Sequence, residues 1–396
     1  MKPPSPSAVG EFLMLRVAAP RGSSSLEQRL RTFAPGGILL TGPLPPAPET
    51  LYELLGGMVR SMSAAPILAL EAGGGENPLS VLLPPLPSLR ALAEMGARRV
   101  LQAGELVGEA LTLLGFNTYF AVSLDLSSEF TGESLGGSTG AVSTSGVAPG
   151  FSPAHASGVA PGFSPARAAL KDGATFRSGQ HTSTFSADPR VVAECGAAFA
   201  EGLARHKILA VAGQFPGLGG VPPARDGDLF VCGRSMAELW RRDLVPYREL
   251  LPRLPLVMMS TAAYKAYDFD YPRSAVLSED VVEGLLRAKL GYRGVVVAPQ
   301  LETQAVRGGL DMGDAAVQSL SAGCDMLLVE HDDSWQAVRD GIEEALASGV
   351  ISRPRLEQSV ARIHAAKKGC APPKGPFPKK AWKRLARRWE EFNSGA

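Results

Sequence analysis

The sequence predicts an α/β chain folded as a (β/α)8 TIM-type barrel, interrupted by a low-complexity insertion and ending in a basic helix. Two observations carry this. Short, continuously apolar runs alternate with amphipathic segments, the pattern of parallel strands covered on both faces. About eight such units fit within 396 residues, which favours a closed barrel over an open sheet.

Taken in order, Gly36–Thr41 reads as a strand and is followed by a helical stretch over Glu49–Met62. Pro66–Glu71 is the next strand and runs into a Gly-rich turn. Leu89–Gly115 has helical spacing, and Phe116–Leu126 reads as a strand ending near Asp125. The Ala-rich, amphipathic Val191–Arg205 is helical, and Ile208–Ala212 is the strand after it. Ser235–Leu251 is helical and Leu256–Ser260 extended. Ser278–Leu290 is a helix whose start is signalled by Ser278 and Glu279-Asp280. Gly294–Ala298 and Asp325–Glu330 are two more buried strands, and Ser334–Ser348 and Arg353–Lys368 close the pattern as helices. In such a barrel chemistry gathers just past the C-terminal ends of the strands.

The remainder divides into a flexible N-terminus over 1–10, a barrel over 11–370 and a tail over 371–396. The Gly/Ser/Thr/Pro tract at 132–173 cannot pack a core and is expected to be a disordered insertion. Within it Ser145–Ala156 is repeated as Ser157–Ala168, differing at His155 and Arg167. Two copies are too few for a solenoid, so a neutral duplication is the simpler reading and a peptide-binding tag the sharper one. In the tail Trp382, Leu385, Trp389 and Phe392 form one apolar helical face opposite a basic one. Such a helix either docks on the barrel or contacts an anionic membrane, nucleic acid or an acidic partner.

A formal net charge of +1 gives no global pull toward nucleic acid or anionic lipid. No apolar run is long enough for a transmembrane helix, and Met1–Pro6 lacks the apolar segment of a signal peptide, so a cytoplasmic location is expected. Cys195, Cys232, Cys324 and Cys370 fall in no metal or redox spacing, and neither metal nor cofactor is expected.

The stretch Gly213-Gln214-Phe215-Pro216-Gly217-Leu218-Gly219 follows a strand and closely resembles the Lys-His-Phe-Pro-Gly-His-Gly substrate loop of glycoside hydrolase family 3, in its β-N-acetylglucosaminidase branch. Further anchors are Pro35–Leu40, Leu114–Asn117, Leu124-Asp125, Phe185 with Asp188-Pro189, Leu277-Ser278, Leu290–Val296 and Ala322–Leu328. Each is weak alone; their order and spacing extend the resemblance over most of 11–368. The resemblance implies a barrel acting on a carbohydrate ligand by a retaining mechanism with two reacting groups.

Those groups are not where the resemblance puts them. The nucleophile of the family's Ser-Asp-Asp-Leu motif corresponds to Pro299 in Ala298-Pro299-Gln300-Leu301, and Pro299 has no nucleophilic atom. The acid/base Asp-Ser-His corresponds to Ala224-Arg225-Asp226, without its His; Asp226 would serve only with a raised pKa. Sugar-holding groups are exchanged as well: Ser183 and Glu76 stand where the family has Arg, and Thr261 where it has His. Together these imply a pseudo-glycosidase.

Carboxylates remain at strand ends in Glu71, Asp125, Glu302 and Glu330, the last followed by His331-Asp332-Asp333. Glu302, three residues past the empty nucleophile position, is the rescue candidate, and Asp125 also reads as a structural hydrogen-bonding group. Gln214, Tyr264, Tyr267, Asp268 and Tyr271, with Glu71 and Asp125, are candidates to line a sugar cleft through ring stacking and hydroxyl hydrogen bonds; ordinary loop roles are the alternative. Three functions therefore stand open: a catalytically deficient homologue binding sugar or a protein partner, an active β-N-acetylhexosaminidase with relocated carboxylates, and a scaffold reaching a membrane or nucleic acid through its tail.

Overall fold

The computed structural model describes residues 9–18, 24–62, 64–72, 77–127, 184–219, 221, 229–370 and 375–395. Eight parallel strands close into a barrel in the order β1-β10-β9-β7-β5-β4-β3-β2. They are β1 (Leu13–Ala18), β2 (Gly37–Thr41), β3 (Ile67–Glu71), β4 (Thr118–Ser123), β5 (Leu209–Phe215), β7 (Leu256–Met259), β9 (Val295–Gln300) and β10 (Met326–Val329). A two-stranded parallel pair, β6 (Val231–Cys232) and β8 (Ala263–Tyr264), lies outside it.

The strands form because β-branched and leucine side chains fill both faces: β2 and β10 are buried along their whole length. β1 escaped the sequence pattern because Arg16 interrupts its apolar run, yet it closes the barrel by pairing Leu13 with Leu327 and Met14 with Gly37. The base is tied by side chains that stand in for backbone partners. Asn117 Oδ1 accepts from Leu68 N at 2.8 Å, and its Nδ2 donates to Pro66 O at 3.0 Å. Asp325, fully buried, accepts from Val296 N at 2.9 Å, from Ser359 Oγ at 2.6 Å, and from Arg287 and Arg362 at 2.5 and 2.9 Å.

The helices are α1 (Ser24–Phe33), α2 (Pro48–Arg60), α3 (Leu89–Glu94), α4 (Ala97–Leu114), α5 (Pro189–Arg205), α6 (Met236–Arg241), α7 (Leu244–Leu250), the π-wound α8 (Asp280–Lys289), α9 (Gln304–Arg307), α10 (Met312–Ala322), α11 (Asp332–Ser348), α12 (Arg353–Lys367) and α13 (Lys379–Ser394). Two stretches read as single helices are broken. Leu89–Gly115 divides at Gly96, whose φ of +90° no ordinary helical residue takes. Ser235–Leu251 divides at Arg242, whose φ of −122° and ψ of −81° leave the helical region, and the Asp243 that follows it pairs with Arg234.

The tail helix α13 docks. Trp382, Leu385, Trp389 and Phe392 are buried, Trp389 Nε1 donates to Pro84 O at 2.7 Å, and Arg388 pairs with Glu109 on α4. Lys380, Lys383, Arg384 and Arg387 face outward. Of the N-terminus expected to be flexible over 1–10, residues 9 and 10 are buried; residues 1–8, the insertion with its repeat, and Glu76, Ser183, Ala224 and Asp226 lie outside the described residues.

Candidate functional site

Two polar groups occupy the C-terminal end of the barrel. The first spans the mouth. The β1–β10 register sets Leu15 against Val329 and so brings Arg16 beside Glu330. Arg16 Nη1 donates to Glu330 Oε2 at 3.0 Å and Nη2 to Glu71 Oε2, at the end of β3, at 3.4 Å. The Gln300 amide donates to the same Glu330 Oε2 at 2.6 Å. Glu302 accepts from the backbone N–H of Glu330 at 2.9 Å and of His331 at 3.2 Å through Oε1, while its Oε2 is buried without a partner among the described residues. Arg29 adds a hydrogen bond to Glu330 O at 3.2 Å and an ion pair with Asp332. Together with Glu330, His331 and Asp333 these two line a shallow open depression. Pro299, at the end of β9, is buried.

The mouth is thus a connected set in which charged groups answer one another. Glu71, Glu330 and Gln300 are engaged with Arg16 or with each other. Glu302 acts on the backbone, fixing the chain as it leaves β10.

The second group cradles the β5 loop. Asp125 Oδ1 accepts from Leu218 N at 2.7 Å. Tyr264 Oη donates to Gly217 O at 2.7 Å. Arg234 donates to Gly219 O at 3.1 Å and grips Asp243 at 2.6 and 2.5 Å. Gly217, at φ +118°, passes so close that a Cβ there would meet Asp243 Cβ at 3.2 Å. Tyr247 is fully buried against Phe215, and its hydroxyl has no partner among the described residues. Asp125 retains some residue surface, but protein surrounds its carboxyl. Burial, with the Asp243 charge adding to it, pushes that carboxyl up to about 7 against the pull of the Leu218 and Gln214 N–H groups.

Tyr264 does not line a cleft: it is fully buried beneath the loop, so no face of its ring is free to stack on a sugar. Gln214 is almost buried. Asp268 pairs with Arg273 at 3.3 Å, Tyr267 is half-buried, and Tyr271 is 79% exposed. The residues missed by sequence reasoning are Arg16, Arg234, Asp243 and Tyr247. A charge inside an apolar run was the available signal for Arg16. Nothing local distinguishes the other three.

Among the described residues no cluster of His, Cys, Asp and Glu could hold a metal ion. Burial pushes the Cys195 and Cys370 thiols up to about 11 and Cys324 to about 12, so none is a ready thiolate near neutrality.

A parallel eight-stranded barrel with polar groups at its C-terminal mouth defines the class: a TIM-barrel protein. The family model for the glycosyl hydrolase family 3 N-terminal domain matches residues 152–366, and the chain belongs to that family. An uncharacterized secreted glycosyl hydrolase of Arthroderma benhamiae is 32% identical over 187 residues, 46% of this chain and 52% of that protein. A beta-hexosaminidase of Bordetella avium is 37% identical over 146 residues, 37% of this chain and 41% of that protein. The chain spans about half the length of the curated relatives it matches. Among solved structures, a family 3 β-N-acetylglucosaminidase from Paenibacillus sp. str. FPU-7 superposes with a TM-score of 0.77 at 22% identity, covering 98% of this chain and 69% of that one. LpqI of M tuberculosis gives 0.72 at 21% identity, covering 94% and 95%. At these identities the structural likeness speaks for the fold.

Proposed function

We propose that this protein is a β-hexosaminidase-like family 3 barrel that has lost glycosidase chemistry and serves in binding, either of a carbohydrate of amino-sugar or cell-wall-glycan type or of a protein partner. The observation that carries the reading is buried Pro299 at the end of β9, where the resemblance calls for the carboxylate nucleophile. A retaining mechanism needs a carboxylate to form the glycosyl ester and a second group to protonate the leaving oxygen. Pro299 supplies neither oxygen nor charge. Gln300, next to it, is hydrogen-bonded to Glu330. The rescue candidate Glu302 is committed through Oε1 to two backbone N–H groups.

The competing reading, hydrolysis through relocated carboxylates, draws on Glu71 and Glu330, which share one guanidinium across the mouth. One experiment separates the two. The purified chain is assayed on aryl β-N-acetylglucosaminide and aryl β-glucoside, beside Glu302→Gln and Glu330→Gln variants. N-acetylglucosamine is titrated in parallel while the melting temperature is followed. Absence of turnover above the variants' background is expected, with a sugar-dependent rise in melting temperature if the ligand is of this class. Turnover that disappears in either variant would overturn the proposal and place the relocated group.

A further inference from the structure

The loop Phe215–Gly219 is fixed by one carboxylate that has hydrogen-bond donors but no cation. Asp125 holds Leu218 N at 2.7 Å, yet among the described residues it enters no ion pair. The neighbouring carboxylate, Asp243, has Arg234. Both line the same short segment: a Cβ at Gly217 would lie 3.8 Å from Asp125 Oδ1 and 3.7 Å from Asp243 Oδ1. We infer that Asp125 is a proton-sensitive latch: its carboxylate form clamps the loop through Leu218, and its protonated form releases that clamp while relieving the buried charge.

Among the described residues few ionisable groups face Asp125. The loop contributes only Gln214, Phe215, Pro216, Gly217, Leu218 and Gly219, none of which ionises. The N-terminal end of α7 contributes Asp243 and Tyr247, β8 contributes Tyr264, and β6 with the turn after it contributes Cys232 and Arg234. Burial raises both tyrosines well above their ordinary range and raises the Cys232 thiol, so all three stay neutral across physiological pH. Burial also raises Asp243, but the Arg234 guanidinium in contact with it favours its charged form. Asp125, pushed to about 7, changes charge near neutrality beside this second carboxylate.

The two protonation states act in opposite directions on the loop and on the whole fold. A hydrogen bond to a carboxylate is roughly twice as strong as one to a neutral acceptor. Protonation therefore weakens the hold on Leu218 N. The same proton removes a desolvated charge and its repulsion with Asp243, which stabilises the fold. Acidification should loosen the loop while tightening the barrel.

The test is hydrogen exchange at the Leu218 amide between pH 5.5 and 8.5, expressed as protection after correction for intrinsic exchange. Protection should fall about five-fold on acidification, with its midpoint near neutrality. Asp125→Asn, which keeps an acceptor without the charge, should hold the low protection at every pH. Asp243→Asn should retain the transition with its midpoint moved to lower pH. A flat wild-type profile, or a transition surviving in Asp125→Asn, overturns the inference. Should Asp125→Asn fail to fold, carboxyl carbon NMR of the wild-type protein gives the same decision. A titration midpoint for Asp125 near neutrality supports the latch, and one below about pH 5 overturns it.

Discussion

Replacing Arg16 by Met isolates what the mouth network contributes, because Met keeps the length of the side chain and removes the charge. Arg16 meets Glu71 at 3.4 Å and Glu330 at 3.0 Å, with side-chain exposures of 16% for the arginine and 14% and 29% for the carboxylates. Exposed ion pairs contribute about 0–1 kcal/mol, and breaking a buried pair costs about 3–5 kcal/mol. The exposures lie between those limits, so a loss of about 2 kcal/mol is expected, smaller at high salt because the pairs are partly open to solvent. Urea unfolding at low and high ionic strength measures it through the shift in midpoint at constant slope. The double variant with Glu330→Gln should recover part of the loss, giving a coupling of about 1 kcal/mol in a mutant cycle. A single-variant loss under ~0.3 kcal/mol at low salt, or no coupling, would refute the claim that these groups satisfy one another.

Asp325→Ala should lower stability by about 3–5 kcal/mol in the same unfolding assay, because Arg287, which is buried, loses its carboxylate. Trp389→Ala should undock α13, with trypsin cutting at the basic residues of 379–394 many times faster than in the wild type, since a buried indole and its bond to Pro84 O are lost. Asp125 reverses the usual carboxylate dependence of stability on pH. Its folded value of about 7 lies above the 3.8 of an unperturbed carboxyl, so the folded state holds the proton more tightly in that window. Its contribution is fully present below about pH 4 and is lost as pH rises through 7, a change of up to about 4 kcal/mol. Unfolding midpoints of wild type and Asp125→Asn, compared between pH 5 and 8, should diverge in this sense.

The strands were legible where both faces are buried, because a continuous apolar run is what a parallel barrel strand requires. β1 was hidden by the residue that matters most at the mouth: a guanidinium in the run breaks the pattern and ties the barrel's top together. One helix break, at Gly96, carried a local signal in its glycine, and the other did not. Arg242 leaves helical geometry with no proline or glycine at the break to announce it. The site divides along the same line. Glu71, Asp125, Gln214, Pro299 and Glu302 stood out as strand-end or motif positions. So did Glu330, but its partner Arg16 did not, because the two are 314 residues apart in sequence. Tyr264 was misread for want of depth: an aromatic near a loop looks the same in sequence whether it lies on the loop or beneath it.

The two ends of the barrel answer to different demands. At the base, Asn117 and Asp325 bond backbone groups of neighbouring strands, and those bonds hold whatever the upper loops carry. A family 3 barrel can therefore exchange its mouth residues without forfeiting its fold, and recognition of the fold leaves the chemistry undecided. The proposal of lost chemistry draws on the mouth. A site arranged for a sugar keeps polar groups free to meet hydroxyls. Here Arg16 and Gln300 both donate to Glu330, and Glu302 holds the chain beside them. An entering ligand must break those bonds before making its own, so its affinity is reduced by the free energy of a network already satisfied. Arg16→Met, by removing the central donor, should therefore strengthen the binding of any sugar that needs Glu71 or Glu330 as an acceptor, measured as a larger melting-temperature rise at fixed N-acetylglucosamine concentration. An equal or smaller rise would mean that the network supports the ligand site rather than competing with it.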